Sequence, residues 1–215
     1  MGATSIKSRI LDLLSDIVVD NIAIGQFATD AAKEIINVLP AEMLWSISTE
    51  TQDINQNGAA ITSARILGVN RNGYEAKEVK YADRQRYFST DAGVQSIYEA
   101  TVESPVYWKF GGKVFVEPAH ASLCKVEHVN YPTITFDNDL TSFVGAPDEI
   151  EHLIIMKTAI KARLAELNEF QDDTEEHNLK MADLQLLQQE YASALTTFIA
   201  SSGKREEQAW HKKKW

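Results

Sequence analysis

The stretch Val106-Tyr107-Trp108-Lys109-Phe110-Gly111-Gly112-Lys113-Val114-Phe115-Val116-Glu117 decides the fold class. Two short runs rich in β-branched and aromatic residues flank a Gly-Gly pair. Consecutive glycines supply the positive φ that a two-residue hairpin turn demands. That register sets Trp108 opposite Phe115 on one face and Tyr107 opposite Val116 on the other. Large apolar groups then stand on both faces, so the hairpin is expected inside a packed structure. A chain with this unit is not all-helical.

Working outward, Trp45 to Ser48, Ile61 to Asn70, Tyr74 to Val79 and Leu123 to Tyr131 have the same β-rich character. Turn signals separate them at Asn57-Gly58, Asn72-Gly73 and Tyr131-Pro132. Between Tyr81 and Ser104 the pattern is irregular and predicts a long loop with one helical turn. Loops of that length are usually functional or lie in an assembly contact.

Helical patterns lie on either side of this region. Ile6, Ile10, Leu14 and then Ile17 or Val18 recur every three to four residues over about 6–19, with Ser5 placed to cap the start. A second helix is predicted over about 21–38, with Ile24, Phe27 or Ala28, Ala31, Ile35 and Val38 inward. Asp20 or Asn21 caps it and Leu39-Pro40 ends it, because a residue before proline avoids the helical region. A third begins at Pro147-Asp148-Glu149, with proline in the first turn and two acids at the positive dipole end. It runs to about 169, with Ile150, Leu153, Ile154, Ile160, Leu164 and Leu167 inward. A fourth covers about 175–200, with a stripe of Leu184, Leu187, Tyr191, Leu195 and Phe198, and Gly203 closing it. The expected fold is α+β: a four-helix bundle with an inserted antiparallel β unit at about 45–131. Residues 1–203 form one domain, followed by a basic aromatic tail, 204–215.

Composition narrows the class. The 215 residues are 44% hydrophobic and carry a formal net charge of −10. That is globular, and it argues against a general nucleic-acid binder, which needs clustered cations. Cys124 is the single cysteine, so there is no disulfide framework and no multi-cysteine zinc site. The longest charge-free run, Tyr191 to Gly203, is shorter than a membrane span, and no membrane association is expected. Arg9, Asp12 and Asp16 interrupt any apolar signal core, and Ile6 stands where a myristoylation start wants Ser or Thr.

Nothing in the sequence assembles an active site. No phosphate-cradling loop, dinucleotide fingerprint, nucleophile elbow or HExxH run occurs. His120, His128, His152, His177 and His211 are scattered, and only His120 and His128 form a near pair, so no metal site is expected. Cys124 reads as a small buried hydrophobe. The carboxylates Asp137, Asp139, Asp148, Glu149 and Glu151 read as a solvated loop followed by helix N-terminal charges, rather than as an acid/base pair. No cofactor is expected.

The final helix and the tail are more informative. Around Gln185, Gln188, Gln189, Ala192, Ala194 and Thr196 few charges follow Glu190, whereas a solvent face usually carries more. Two readings stand: a helix packed within its own domain, or one partly covered by another subunit, since interfaces are depleted of charge. The second makes Gln185, Gln188, Gln189 and Ala192 candidate subunit contacts. Beyond Gly203, Lys204, Arg205, Lys212, Lys213 and Lys214 stand against Glu206 and Glu207, while the remainder of the chain is acidic. The tail reads as a disordered end, as a peptide that orders on a partner, or as a nucleic-acid arm. In the partner reading Trp210 and Trp215 are anchors and Lys212, Lys213 and Lys214 meet an acidic groove.

The order of segments also resembles a family. Ala23-Ile24-Gly25-Gln26-Phe27 and Ala31-Ala32-Lys33-Glu34-Ile35-Ile36-Asn37-Val38-Leu39-Pro40 look like the early helix of tailed-bacteriophage head-to-tail adaptor proteins. Ser104-Pro105-Val106-Tyr107-Trp108 and Gly112-Lys113-Val114-Phe115-Val116-Glu117-Pro118 resemble its central hairpin. Val129-Asn130-Tyr131-Pro132, then Pro147-Asp148-Glu149-Ile150-Glu151-His152-Leu153, resemble the approach to its long helical hairpin. The likeness spans about residues 20–200. It implies a structural, non-enzymatic virion protein at the neck, made in the host cytoplasm. Its copies would form a ring of about twelve that joins the portal protein to tail or nozzle proteins and continues the DNA channel. Double-stranded DNA would pass without specific binding. The alternatives are a tail-completion or capsid-stabilising protein, and a small cytosolic helical regulator.

Overall fold

The structure, a computed structural model, describes residues 5–14, 20–51, 58–61, 64–88, 98–118, 124–135, 148–168 and 174–212. The chain divides into two units. One comprises Met1–Met43 with Tyr131–Trp215, the other Leu44–Asn130. The first is helical and the second is built on strands, so the class is α+β.

In the helical unit, α1 (Ile6–Leu14) and α2 (Asn21–Val38) precede α4 (Asp148–Leu167) and α5 (Thr174–Lys212). A short α3 (Ala41–Leu44) leads out of the unit. The backbone N–H of Ser8 donates to Ser5 Oγ at 3.2 Å, the N-cap that the sequence places there. Asp20 occupies the α2 cap position but makes no side-chain cap bond. Leu39 turns extended ahead of Pro40 and ends the helix. The rest of the first helix expected over 6–19, including Ile17 and Val18, lies outside the described residues, as does Pro147.

Helix α4 packs against α1, α2 and α5. Ile150, Leu153, Ile154, Ile155, Met156, Ala159, Ile160 and Ala162 are all buried, which is more than one stripe. A helix with neighbours on three sides is apolar around most of its circumference. Leu164, expected inward, is 44% exposed, because it falls in the remaining sector. Each neighbour is also latched to α4 by charge. Arg9 of α1 bonds the buried Glu151, and Lys157 and Lys161 bond Glu34 of α2. Lys180 of α5 bonds Glu166. Arg163, 3% exposed, donates to the Leu14 carbonyl at 2.7 Å and to Glu166. Glu151 is therefore not the solvated helix-end charge expected from the sequence. It is buried, and a buried carboxylate requires a partner such as Arg9.

Among the described residues the second unit holds two four-stranded sheets. One has the order β1 (Thr49–Thr51), β8 (Cys124–Asn130), β3 (Ala64–Arg71), β4 (Tyr74–Glu75). The other runs β2 (Ala59–Ala60), β7 (Lys113–Glu117), β6 (Val106–Phe110), β5 (Lys77–Glu78), with β5 parallel to β6 and the other pairs antiparallel. The β6–β7 register pairs Trp108 with Phe115 and Tyr107 with Val116, as the sequence requires. Gly111 and Gly112 carry φ of +57° and +73°. Tyr107, Val114 and Val116 share one core with Val69, Cys124 and Val126 of the first sheet. Trp108 on the opposite face packs with Val79, Ala100 and Val106, against Tyr87, Phe88 and Phe115. Both faces of the hairpin are thus covered.

Some strand expectations need correction. Trp45 to Ser48 is not a strand: Trp45–Ile47 is a 3-10 turn and pairing begins at Thr49. Tyr74 to Val79 is not one strand but two, in different sheets, with the buried Ala76 between them. A bulge between Ile66 and Gly68 shifts β3 against β8. Tyr81–Tyr87 is a 3-10 helix, the helical turn expected in the long loop.

Candidate assembly surfaces

Because Leu184 and Leu187 are buried and Tyr191, Leu195 and Phe198 partly so, the predicted stripe of α5 faces its own unit. Lys157 reaches over the Tyr191 ring at 5.2 Å. Hydrogen bonds to Glu166, and then to Glu176, hold the Lys180 ammonium above its ordinary pKa despite partial burial. Gln185, Gln188, Gln189 and Ala192 lie beside that stripe, with Gln188 one turn on from Leu184, and all four are exposed. The structure brings them together as one charge-free face.

Helix α5 does not close at Gly203, as the sequence suggested; its backbone continues through that residue to Lys212. Trp210 and Lys212 fall in its final turns. Lys213, Lys214 and Trp215 lie outside the described residues, as do His120, Asp137 and Asp139. The five tail residues are therefore not brought together as a described site.

Sequence reasoning missed two features. Leu179 and Leu186 on α5 are 67% and 57% exposed. With Asp183 and Glu190 they fall at i, i+4, i+7 and i+11, one exposed stripe in which leucines alternate with acids. Asp183 stands 3.8 Å from the guanidinium of Arg163. The signal available in the sequence was the seven-residue spacing of leucines off the buried stripe.

The second feature is an aromatic cleft of about 380 Å³ in the β unit, lined by Tyr81, Arg84, Phe88, Trp108, Phe110, Phe115 and Glu117. Tyr81 and Phe110 stack at 4.0 Å, and Arg84 lies 3.7 Å from the Tyr81 ring centre. Trp108 stacks on Phe115 at 5.8 Å, and Phe88 meets Trp108 edge-on. Phe110 is 52% exposed. Residues 77–88 and 106–117, counted over both faces of the hairpin, carry Lys77, Lys80, Arg84, Arg86, Lys109 and Lys113 against Glu78, Asp83 and Glu117, a net +3, and of these Arg84 and Glu117 line the cleft. The whole β unit has 9 Lys and Arg against 10 Asp and Glu, net −1, while the helical unit has 12 against 21, net −9. Glu78 accepts from the Tyr107 hydroxyl at 2.9 Å and pairs with Lys109. Burial, reinforced by that bond to Glu78, pushes the Tyr107 hydroxyl pKa well upward. A separate groove of about 530 Å³ lies in the helical unit between α2 and Thr133–Thr135.

Among the described residues no three His, Cys, Asp or Glu converge to hold a metal. His128 is buried in β8 beside Thr49 and the Val126 carbonyl. Burial raises the Cys124 thiol pKa, with Arg71 opposing, so the thiol stays protonated. Among the described residues no helix is long and apolar enough to cross a membrane. No protein-family model matches the chain, and no curated protein matches it.

Proposed function

We propose that the chain is a structural adaptor of a tailed-phage neck. Its copies form a ring beneath the portal protein, join it to tail or nozzle proteins, and continue the DNA channel. In this reading α1, α2, α4 and α5 form a four-helix bundle and the β unit faces the tail. The chain performs no chemistry and takes no cofactor. The observation that carries the reading is α5. It is a 39-residue helix whose Leu184–Phe198 stripe is set into its own unit, beside an exposed, charge-free Gln185, Gln188, Gln189 and Ala192 face that a neighbouring copy can cover. The segment order resembling adaptor proteins supports it, and so does the acidity of the helical unit. Negative walls weaken phosphate contact, which suits a lumen through which DNA must slide. Trp210, Lys212, Lys213, Lys214 and Trp215 then dock on the portal.

Deleting residues 204–215 and measuring co-sedimentation with the portal protein tests this reading. The expected result is loss of binding with the circular dichroism of the remainder kept. Undiminished binding refutes the docking role, and a particle reconstruction that places the chain away from the neck refutes the adaptor role.

A further inference from the structure

We draw no further inference here: the strongest candidate, the aromatic cleft of the β unit between Tyr81, Phe88, Trp108, Phe110 and Phe115, carries nothing, because its two charged groups, Arg84 and Glu117, are of opposite sign and nothing in the structure shows what covers it.

Discussion

The helical unit and the β unit solve the same packing problem with different materials. The helical unit is filled with Ile, Leu and Ala around one enclosed helix, and its buried ionic groups are paired between α1 and α4 by Arg9–Glu151 and within α4 by Arg163–Glu166. The β unit is filled with Val and aromatic rings, and its hairpin is apolar on both faces. Charge follows the same division, at −9 and −1. The difference teaches where each unit is vulnerable. Aliphatic side chains on a central helix fail by cavity formation, whereas aromatic stacks fail by loss of a few large contacts.

The strongest way to break this comparison is to remove one large group from each unit. Trp108→Ala should cost about 3–5 kcal/mol, and Ile154→Ala about 2–5 kcal/mol, in chemical denaturation. Near-ultraviolet circular dichroism follows the aromatic cluster, and far-ultraviolet signal at helical wavelengths follows the other unit. If the units are separate cooperative blocks, Trp108→Ala moves the first transition and leaves the second. Equal movement of both signals would show that they unfold as one.

A smaller effect is expected at Gly58. Its φ of +72° disfavours any side chain, and an added Cβ would stand 2.9 Å from the Phe115 ring. Gly58→Ala should cost about 1–3 kcal/mol in the β unit alone. An unchanged denaturation midpoint would mean that the aromatic face is looser than the stacks imply.

The smallest effect compares the two units under acid. Burial alone would raise the Glu34 carboxyl, but hydrogen bonds from Lys161 and Lys157 outweigh it and hold the group below its ordinary value of 4.5. Glu78 behaves alike: burial raises it, and Lys109 and Tyr107 bring it lower. A carboxylate depressed in the folded state stabilises that state above the unfolded pKa and loses the contribution as pH falls through the folded value. Both units should therefore lose a latch below about pH 4.5. Each carboxylate is about half exposed, so the loss is under about 1 kcal/mol. Glu34→Gln and Glu78→Gln should flatten the acid limb of a stability profile; an unaltered limb would assign acid sensitivity to other groups.

Much of the fold was legible because local chemistry dictated it. Gly111-Gly112 specified the turn and hence the pairing of Trp108 with Phe115, and Ser5 specified a cap. What failed was whatever depended on distant partners. The burial of Glu151 follows from Arg9, 142 residues away, which no local pattern reveals. Leu164 was misplaced because a helix with three neighbours has no single inward stripe. The break at Ala76 escaped notice because a β-rich run says nothing of which sheet each half joins. Among the candidate surfaces, the charge-free side of α5 could be read from composition. The aromatic cleft could not, since Tyr81 and Phe110 meet only after Lys77–Glu78 pairs beside Val106–Tyr107.

The enclosure of α4 has a consequence for amide exchange. Its middle turns, around Ile154, Thr158 and Ala159, are shielded on several sides, so their deuterons should enter only when the whole helical unit opens. The turns of α5 around Ala192 and Ser193, with one side in water, should exchange through small local openings. Slowing of that outer segment at high protein concentration would then be a direct gauge of how much of it another copy shelters.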